Sequence, residues 1–212
     1  DFWNSLGNSL LITIVTVVLA ILIHSIAGYA IGRNMANSKF YKFSYLYIVS
    51  GMFVPFAILM MPLVKQTSQM GIGNRVGVIV LYVVFYMPMN LLLYSGYLKN
   101  IPMALEEAAK VDGAGTVTRF FRITLPMLKP TIILAVFLSI TSSLQCFDLI
   151  YTMTGGGPNN ASTTLVIYAY SLCFAGSSSA GYAMAVSNIL FVVILVIAML
   201  QRGMMKREAS EI

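Results

Sequence analysis

Five apolar stretches, near residues 9–32, 44–64, 76–98, 127–147 and 182–201, dominate the chain. Each is close to the roughly 20 residues that a helix needs to cross a hydrocarbon core about 30 Å thick. In hydrocarbon every backbone N–H and C=O must find a partner without water, so such runs fold as helices or as strands of a closed barrel. Barrel strands alternate apolar and polar residues over about 10 positions. These runs are too long and too uniformly apolar for that. They predict an all-α fold, a polytopic transmembrane helical bundle forming a single domain over residues 1–212.

Composition removes the soluble alternatives. Hydrophobic residues make up 58% of the chain and charged residues only 9%, against roughly 25% charged in soluble domains. Mean hydropathy is +0.84. A net charge of +6 raises the question of nucleic acid, but the 13 Lys and Arg lie scattered in short polar breaks rather than in a patch or stripe. No nucleic-acid partner is expected, and membrane lipid is. Cys146 and Cys173 lack Cys-x-x-Cys spacing and read as packing residues, so no metal site is expected.

Basic residues mark the cytoplasmic side of short loops. In an alternating topology all Lys and Arg except Lys65 and Arg75 fall on one side. The first stretch then runs inward, the carboxyl terminus, with Arg202, Lys206 and Arg207, is cytoplasmic, and so is the loop from Lys99 to Lys129. This leaves Asp1 outside. An amino terminus without a targeting pattern is usually cytoplasmic, so at least one further span is expected before Asp1.

Two segments face outward. The first, near Lys65 to Arg75, includes Gly71-Ile72-Gly73-Asn74 and reads as a turn or helix end. The second, Asp148 to Gly181, holds Gly155-Gly156-Gly157-Pro158-Asn159-Asn160, a turn-forming cluster. Its apolar part, Thr164 to Phe174, is too short to span and predicts an interfacial or re-entrant helix.

The inner loop, residues 99–129, is the most informative polar segment. Pro102 suits a first helical turn, and Glu106 and Glu107 lie near the positive end of that helix. Ala104, Leu105, Ala108 and Ala109 form a small flat face, and Asp112-Gly113 stops the helix. Thr116 is expected to cap a second short helix. Phe120 and Phe121 ride on that helix and need a cover, and Leu125-Pro126 ends it. Two short helices in an L result. A loop serving only to connect spans would instead pair its carboxylates with Arg119 or Arg122.

Glu107-Ala108-Ala109, Gly113, Ile123, Leu125 and Pro126 together resemble the cytoplasmic signature loop of the membrane subunits of ATP-binding-cassette importers. Asp112-Gly113-Ala114 and Leu125-Pro126-x-x-Lys129-Pro130 resemble its maltose and multiple-sugar form. The likeness extends from Asn8-Ser9-Leu10 to Gln201-Arg202. It implies that the loop docks into a cleft of a cytoplasmic ATPase, with Phe120 or Phe121 as the knob. The implied coupling residues are Glu106, Glu107, Ala108, Ala109, Asp112, Gly113, Phe120, Phe121, Ile123, Leu125 and Pro126. It further implies a second, homologous permease subunit, two ATPase subunits, an extracytoplasmic solute-binding protein, and a place in the cytoplasmic membrane of a bacterium.

No Gly-x-x-x-x-Gly-Lys-Ser/Thr occurs, so ATP and Mg belong to the partner ATPases and this chain is expected to bind no cofactor and catalyse nothing. The lone His24 reads as a hydrogen-bonded packing residue rather than a proton relay. The spans hold almost no ionisable groups, which disfavours ion-coupled transport and suits a polar, uncharged substrate. Tyr82, Tyr86 and Asn90 share one helix face, and Ser139, Ser142, Ser143 and Gln145 mark the fourth stretch. Either set suits sugar hydroxyls and ring faces, or hydrogen bonds between helices. The expected function is import of a neutral sugar, an oligosaccharide by preference. The rivals are an ion-coupled secondary transporter, or an importer of the same fold for glycerol phosphate or another small solute.

Overall fold

The computed structural model describes residues 1–175 and 179–210, with side chains as far as Lys206. Residues 176–178 of the outer segment and the Arg207 side chain lie outside the described residues. Helices α1 (Phe2–Asn34), α2 (Lys39–Ser50), α3 (Phe56–Gln69) and α4 (Arg75–Leu98) form the first half. The loop between α4 and α8, expected on the inner side, holds α5 (Met103–Val111), α6 (Thr116–Arg119), a π turn (Phe120–Thr124) and α7 (Leu125–Met127). Then come α8 (Lys129–Gln145), α9 (Asp148–Thr154), α10 (Leu165–Phe174) and α11 (Ala180–Ser210). The described residues contain helices and turns and no strand.

Among them α1, α4 and α11 are each long and apolar enough to cross a membrane. Two bent pairs bring the number to five if each pair is one span. The stretch expected as one span over 44–64 is one of these pairs: α2 and α3 are bent by 105° across a 3-10 turn, Gly51–Phe53. Pro55 is the cause. The residue before proline is driven out of the α region, and Val54 is extended at φ −86°, ψ 113°. The second bend, 73°, separates residues 116–127 from α8. Pro62 and Pro88 sit inside α3 and α4.

The core is built on α1, which packs along α4 and also meets α8 and α10. Gly28 and Gly32 allow this closeness. A Cβ added at Gly28 would lie 2.6 Å from Tyr94 Cβ, and one at Gly32 2.8 Å from Leu98 Cδ1. Without a hydrophobic drive between helices in lipid, such small residues let backbones approach and gain dispersion contact. Tyr94, Leu98, Ile101 and Leu128 form the inner core cluster. Ile12, Val78, Tyr82, Ile150 and Met153 belong to the outer one.

Polar side chains stud the buried stripe of α1 from end to end. Ser9 Oγ accepts from Leu165 N at 2.9 Å, and Thr13 Oγ1 lies 2.8 Å from Ser143 Oγ. His24 Nε2 is 3.0 Å from the Val83 carbonyl, which can only accept, so Nε2 carries the hydrogen and Nδ1 accepts from Asn90 Nδ2 at 2.8 Å. At the outer end Asn8 Nδ2 donates to the carbonyls of Asn160 and Thr163. Arg75 donates to Ala161 O at 2.7 Å and to Asn8 Oδ1 at 2.8 Å. The glycine-rich loop, expected on the outer side, is therefore fastened to α1 and to the start of α4. Asn74 caps α4, its Oδ1 accepting from Val76 N and Gly77 N.

Gly28→Val is expected to destabilise the chain by about 1–3 kcal/mol through overpacking. Gly96→Ala, where a Cβ meets nothing within 4 Å, is expected to leave stability unchanged or slightly raised. Thermal unfolding of the two variants in detergent checks the difference.

Candidate functional site

The inner loop folds from its own sequence signals. Helix α5 ends in a Schellman motif: Ala114 N donates to Ala109 O at 2.8 Å and Gly113 N to Lys110 O at 3.1 Å. That closure puts Gly113 at φ +84°, a left-handed conformation that glycine adopts without strain. The interval from Glu107-Ala108-Ala109 to Gly113 is thus one helix end. Thr116 does not cap the next helix. Gly115 holds the N-cap position, and the Thr116 hydroxyl accepts from Arg119 Nη2 at 3.2 Å. Nor does Leu125-Pro126 end the element. Proline withholds the N–H that the Arg122 carbonyl would ordinarily accept, and the chain widens into the π turn over Phe120–Thr124 instead of stopping. The break falls at Leu128.

The two carboxylates divide. Glu107 is exposed, while Glu106 is only 4% exposed. Neither Arg119 nor Arg122 is the partner of Glu106. Its Oε1 accepts from Arg33 Nε at 2.9 Å and Thr124 Oγ1 at 3.0 Å, and its Oε2 from Tyr29 OH at 2.9 Å. Arg33 Nη2 also lies 2.9 Å from Oε1. Arg33 Nη1 donates to the carbonyls of Leu98 and Ile101, both at 3.1 Å. The two phenylalanines divide as well. Phe120 is buried 5.1 Å from the Tyr29 ring, and Phe121 is 54% exposed. With Ala108, Asp112 and Pro126 exposed and Ala109, Ile123 and Leu125 half-buried, the outward face of the loop is mixed polar and apolar. It includes Val111, 87% exposed, and Val117, 70% exposed.

A second candidate region lies between α3, α4 and the α8–α9 corner. An open cavity of about 350 Å³ is lined by residues that include Phe56, Tyr82, Tyr86, Ser142, Gln145 and Asp148. A smaller one, about 70 Å³, is lined by Tyr86, Asn90, Ser139 and Ser142 among others. Tyr86 fronts both. Its ring is 5.5 Å from that of Tyr82. The Tyr82 and Tyr86 hydroxyls are buried near Cys146 and Ser143 yet lack a well-formed hydrogen bond. Of the residues read from the sequence, Tyr82, Tyr86 and Gln145 meet in the larger cavity, and Tyr86, Asn90 and Ser139 in the smaller. Ser143 is turned to Thr13, and the Asn90 amide is spent on His24.

Sequence reading missed Tyr29, Arg33 and Thr124 as partners of the loop. The available signal was the i, i+4 spacing of Tyr29 and Arg33, which places both on one helix face. It also missed Phe56, which follows the Pro55 break, as a cavity wall, whereas Ser142, read from the sequence, lines both cavities.

Residues 20–206 match the family described as Binding-protein-dependent transport system inner membrane component. The multiple sugar-binding transport system permease protein MsmG of Streptococcus mutans is 40% identical over 130 residues, 61% of this chain and 46% of MsmG. MsmF of the same bacterium is 29% identical over 223 residues, covering 97% of this chain and 77% of MsmF. The trehalose/maltose transport system permease protein MalF of Thermococcus litoralis is 40% identical over 120 residues, 57% of this chain and 38% of MalF. The aligned part thus spans less than half of MsmG and of MalF. The fold is shared with a solved bacterial ABC transporter that imports the acidic polysaccharide alginate, at TM-score 0.77 and 18% identity over 97% of this chain and 74% of that one. A second structure, with an alginate pentasaccharide-bound periplasmic protein, gives TM-score 0.77 and 21% identity over 98% and 79%. With the family match running over nearly the whole length, the chain belongs to the inner-membrane components of binding-protein-dependent transport systems.

Proposed function

We propose that this chain is the permease subunit of an ATP-driven importer that carries a neutral sugar, an oligosaccharide by preference, across the cytoplasmic membrane of a bacterium. The observation that carries this reading is the inner loop. It is a short-helix element with a glycine-locked end and an exposed face of Val111, Val117 and Phe121, attached to a bundle that belongs to a binding-protein-dependent transport family. Exposed apolar groups of this kind on a polar loop call for a partner that covers them. The partner is a cytoplasmic ATPase subunit, one for each of two permease halves, and those ATPases use the ATP and Mg. Glu107, Ala108, Ala109, Asp112, Gly113, Phe121, Ile123, Leu125 and Pro126 belong to the docking side. Phe120 supports it from within.

The second permease half completes the pathway, because one chain presents open cavities rather than an enclosed one. The extracytoplasmic solute-binding protein meets the outer loop around Asn159 and Asn160, which α1 and Arg75 hold in place. The carboxyl terminus is cytoplasmic. Tyr82, Tyr86 and Gln145, with Asn90 and Ser139 below, form the sugar-facing side. Ring faces of tyrosine suit a sugar's C–H surface, and buried hydroxyls short of partners favour a ligand that supplies hydroxyls. The described lining of the larger cavity includes Asp148 and no Lys or Arg, which favours a neutral cargo over glycerol phosphate.

Proteoliposomes carrying the whole assembly should accumulate labelled oligosaccharide only with ATP inside. Uptake that persists without ATP and collapses with the membrane potential would overturn the reading. Gly113→Val forces a β-branched residue to positive φ and is expected to lower sugar uptake at least about 10-fold while the protein still inserts. Phe120→Ala is expected to cost about 3–5 kcal/mol of stability. Phe121→Ala should leave the melting temperature within about 1 °C but weaken copurification of the ATPase, read by quantitative gel analysis of the purified complex.

A further inference from the structure

Resting on the transport reading above, we infer that Glu106 is a positioning residue, distinct in role from its neighbour Glu107. Its buried carboxylate clamps the ATPase-docking loop onto α1, so that displacement of the loop is delivered to that one helix. Four features support this. First, Glu106 faces inward at 4% exposure, so it is out of reach of a partner docked on the exposed face. Second, both of its oxygens are taken by groups from two other places in the fold: Tyr29 and Arg33 on α1, and Thr124 in the second half of the loop. The first and last parts of the loop are thereby tied to each other as well as to α1. Third, Arg33 carries the clamp onward by donating to the carbonyl of Leu98, at the negative carboxyl end of α4, and to that of Ile101 just beyond it. Fourth, Phe120 packs against Tyr29 with ring centroids 5.1 Å apart, and the ion pair is largely out of water, its Arg33 and Glu106 side chains 11% and 5% exposed, which strengthens it.

The helix that receives this clamp is continuous from Phe2 to Asn34, about 50 Å at 1.5 Å per residue. Its other polar groups hold α4 through His24, α8 through Thr13, the start of α10 through Ser9 and the glycine-rich loop through Asn8. A shift imposed at Arg33 therefore reaches hydrogen bonds at mid-depth and at the outer end without passing through a flexible joint. The ion pair sets how much of the loop's movement becomes movement of the bundle.

The test uses the full assembly, permeases, ATPases and binding protein, in proteoliposomes, and reads sugar moved per ATP hydrolysed. Glu106→Gln keeps the shape and removes the charge. Its complex is expected to copurify with the ATPases and to move at least about 10-fold less sugar per ATP. Arg33→Gln is expected to do the same, and Arg33→Gln combined with Glu106→Gln should be no worse than either alone, because the double variant leaves no unpaired buried charge. A spin label at position 7 of α1, where a side chain meets nothing within 4 Å, should report an ATP-dependent change that Glu106→Gln abolishes; a merely structural role would not move this signal in an assembled complex. If Glu106→Gln fails to accumulate, Tyr29→Phe and Thr124→Val each remove one hydrogen bond to the same carboxylate, and a two- to five-fold loss of coupling is expected. A wild-type sugar-to-ATP ratio in Glu106→Gln, or in both milder variants, would overturn the clamp and leave the transport reading standing. A wild-type assembly that imports without ATP would overturn both.

Discussion

The close seating of α1 against α4, permitted by the missing side chains at Gly28 and Gly32, is the contact on which the other long-range arrangements rest. In a bilayer, helices gain nothing by escaping water together, so they are held by dispersion at short distance and by hydrogen bonds. Once the two backbones are this near, His24 reaches the Val83 carbonyl and the Asn90 amide, and Arg33 reaches the end of α4. Moved apart by the width of a methyl group, the helices would lose these bonds. Polar groups within the bundle would then be left unpaired, at a cost of about 1–3 kcal/mol each.

The same helix joins the two faces of the protein. At one end it meets Glu106, and at the other it holds the glycine-rich loop through Asn8 and the start of α10 through Ser9. Loops that bind partners are ordinarily the least stable parts of a fold. Here both candidate docking segments are fastened to one element by hydrogen bonds spanning more than 70 residues of sequence. The cavity faced by Tyr82, Tyr86 and Gln145 lies between α4, the α8–α9 corner and the start of α3, just past the Pro55 break. A stiff rod with candidate docking segments at its ends and an open, tyrosine-lined cavity beside it fits the proposed alternating access between two halves.

Much of this was legible in the sequence because its causes are local. The apolar runs gave helices, Gly113 marked a helix end, and the run from Thr164 to Phe174 folds as the short helix α10. What sequence left open had causes that are not local. Periodicity cannot say which of two adjacent residues faces inward when the opposite wall is distant in sequence. Glu106 and Glu107, like Phe120 and Phe121, look interchangeable until Tyr29 and Arg33 are brought alongside. Arg33 and Arg75 were read as topology signals, yet each donates to groups far along the chain. A proline at position 55 promises a kink, but averaged hydropathy runs smoothly through it and does not tell that the bend reaches 105°. Pro126 misled in the other direction, since a π turn absorbed the missing donor.

The account depends on the sidedness of the loop. With Cys146 and Cys173 replaced by Ser, a single cysteine placed at Val117 and, separately, at Asn159 can be probed with a membrane-impermeant maleimide in intact spheroplasts and in inverted vesicles. The account predicts that position 117 reacts only in inverted vesicles and position 159 only in spheroplasts. Reaction of position 117 from the outer side would contradict it, because no cytoplasmic ATPase would then reach the loop.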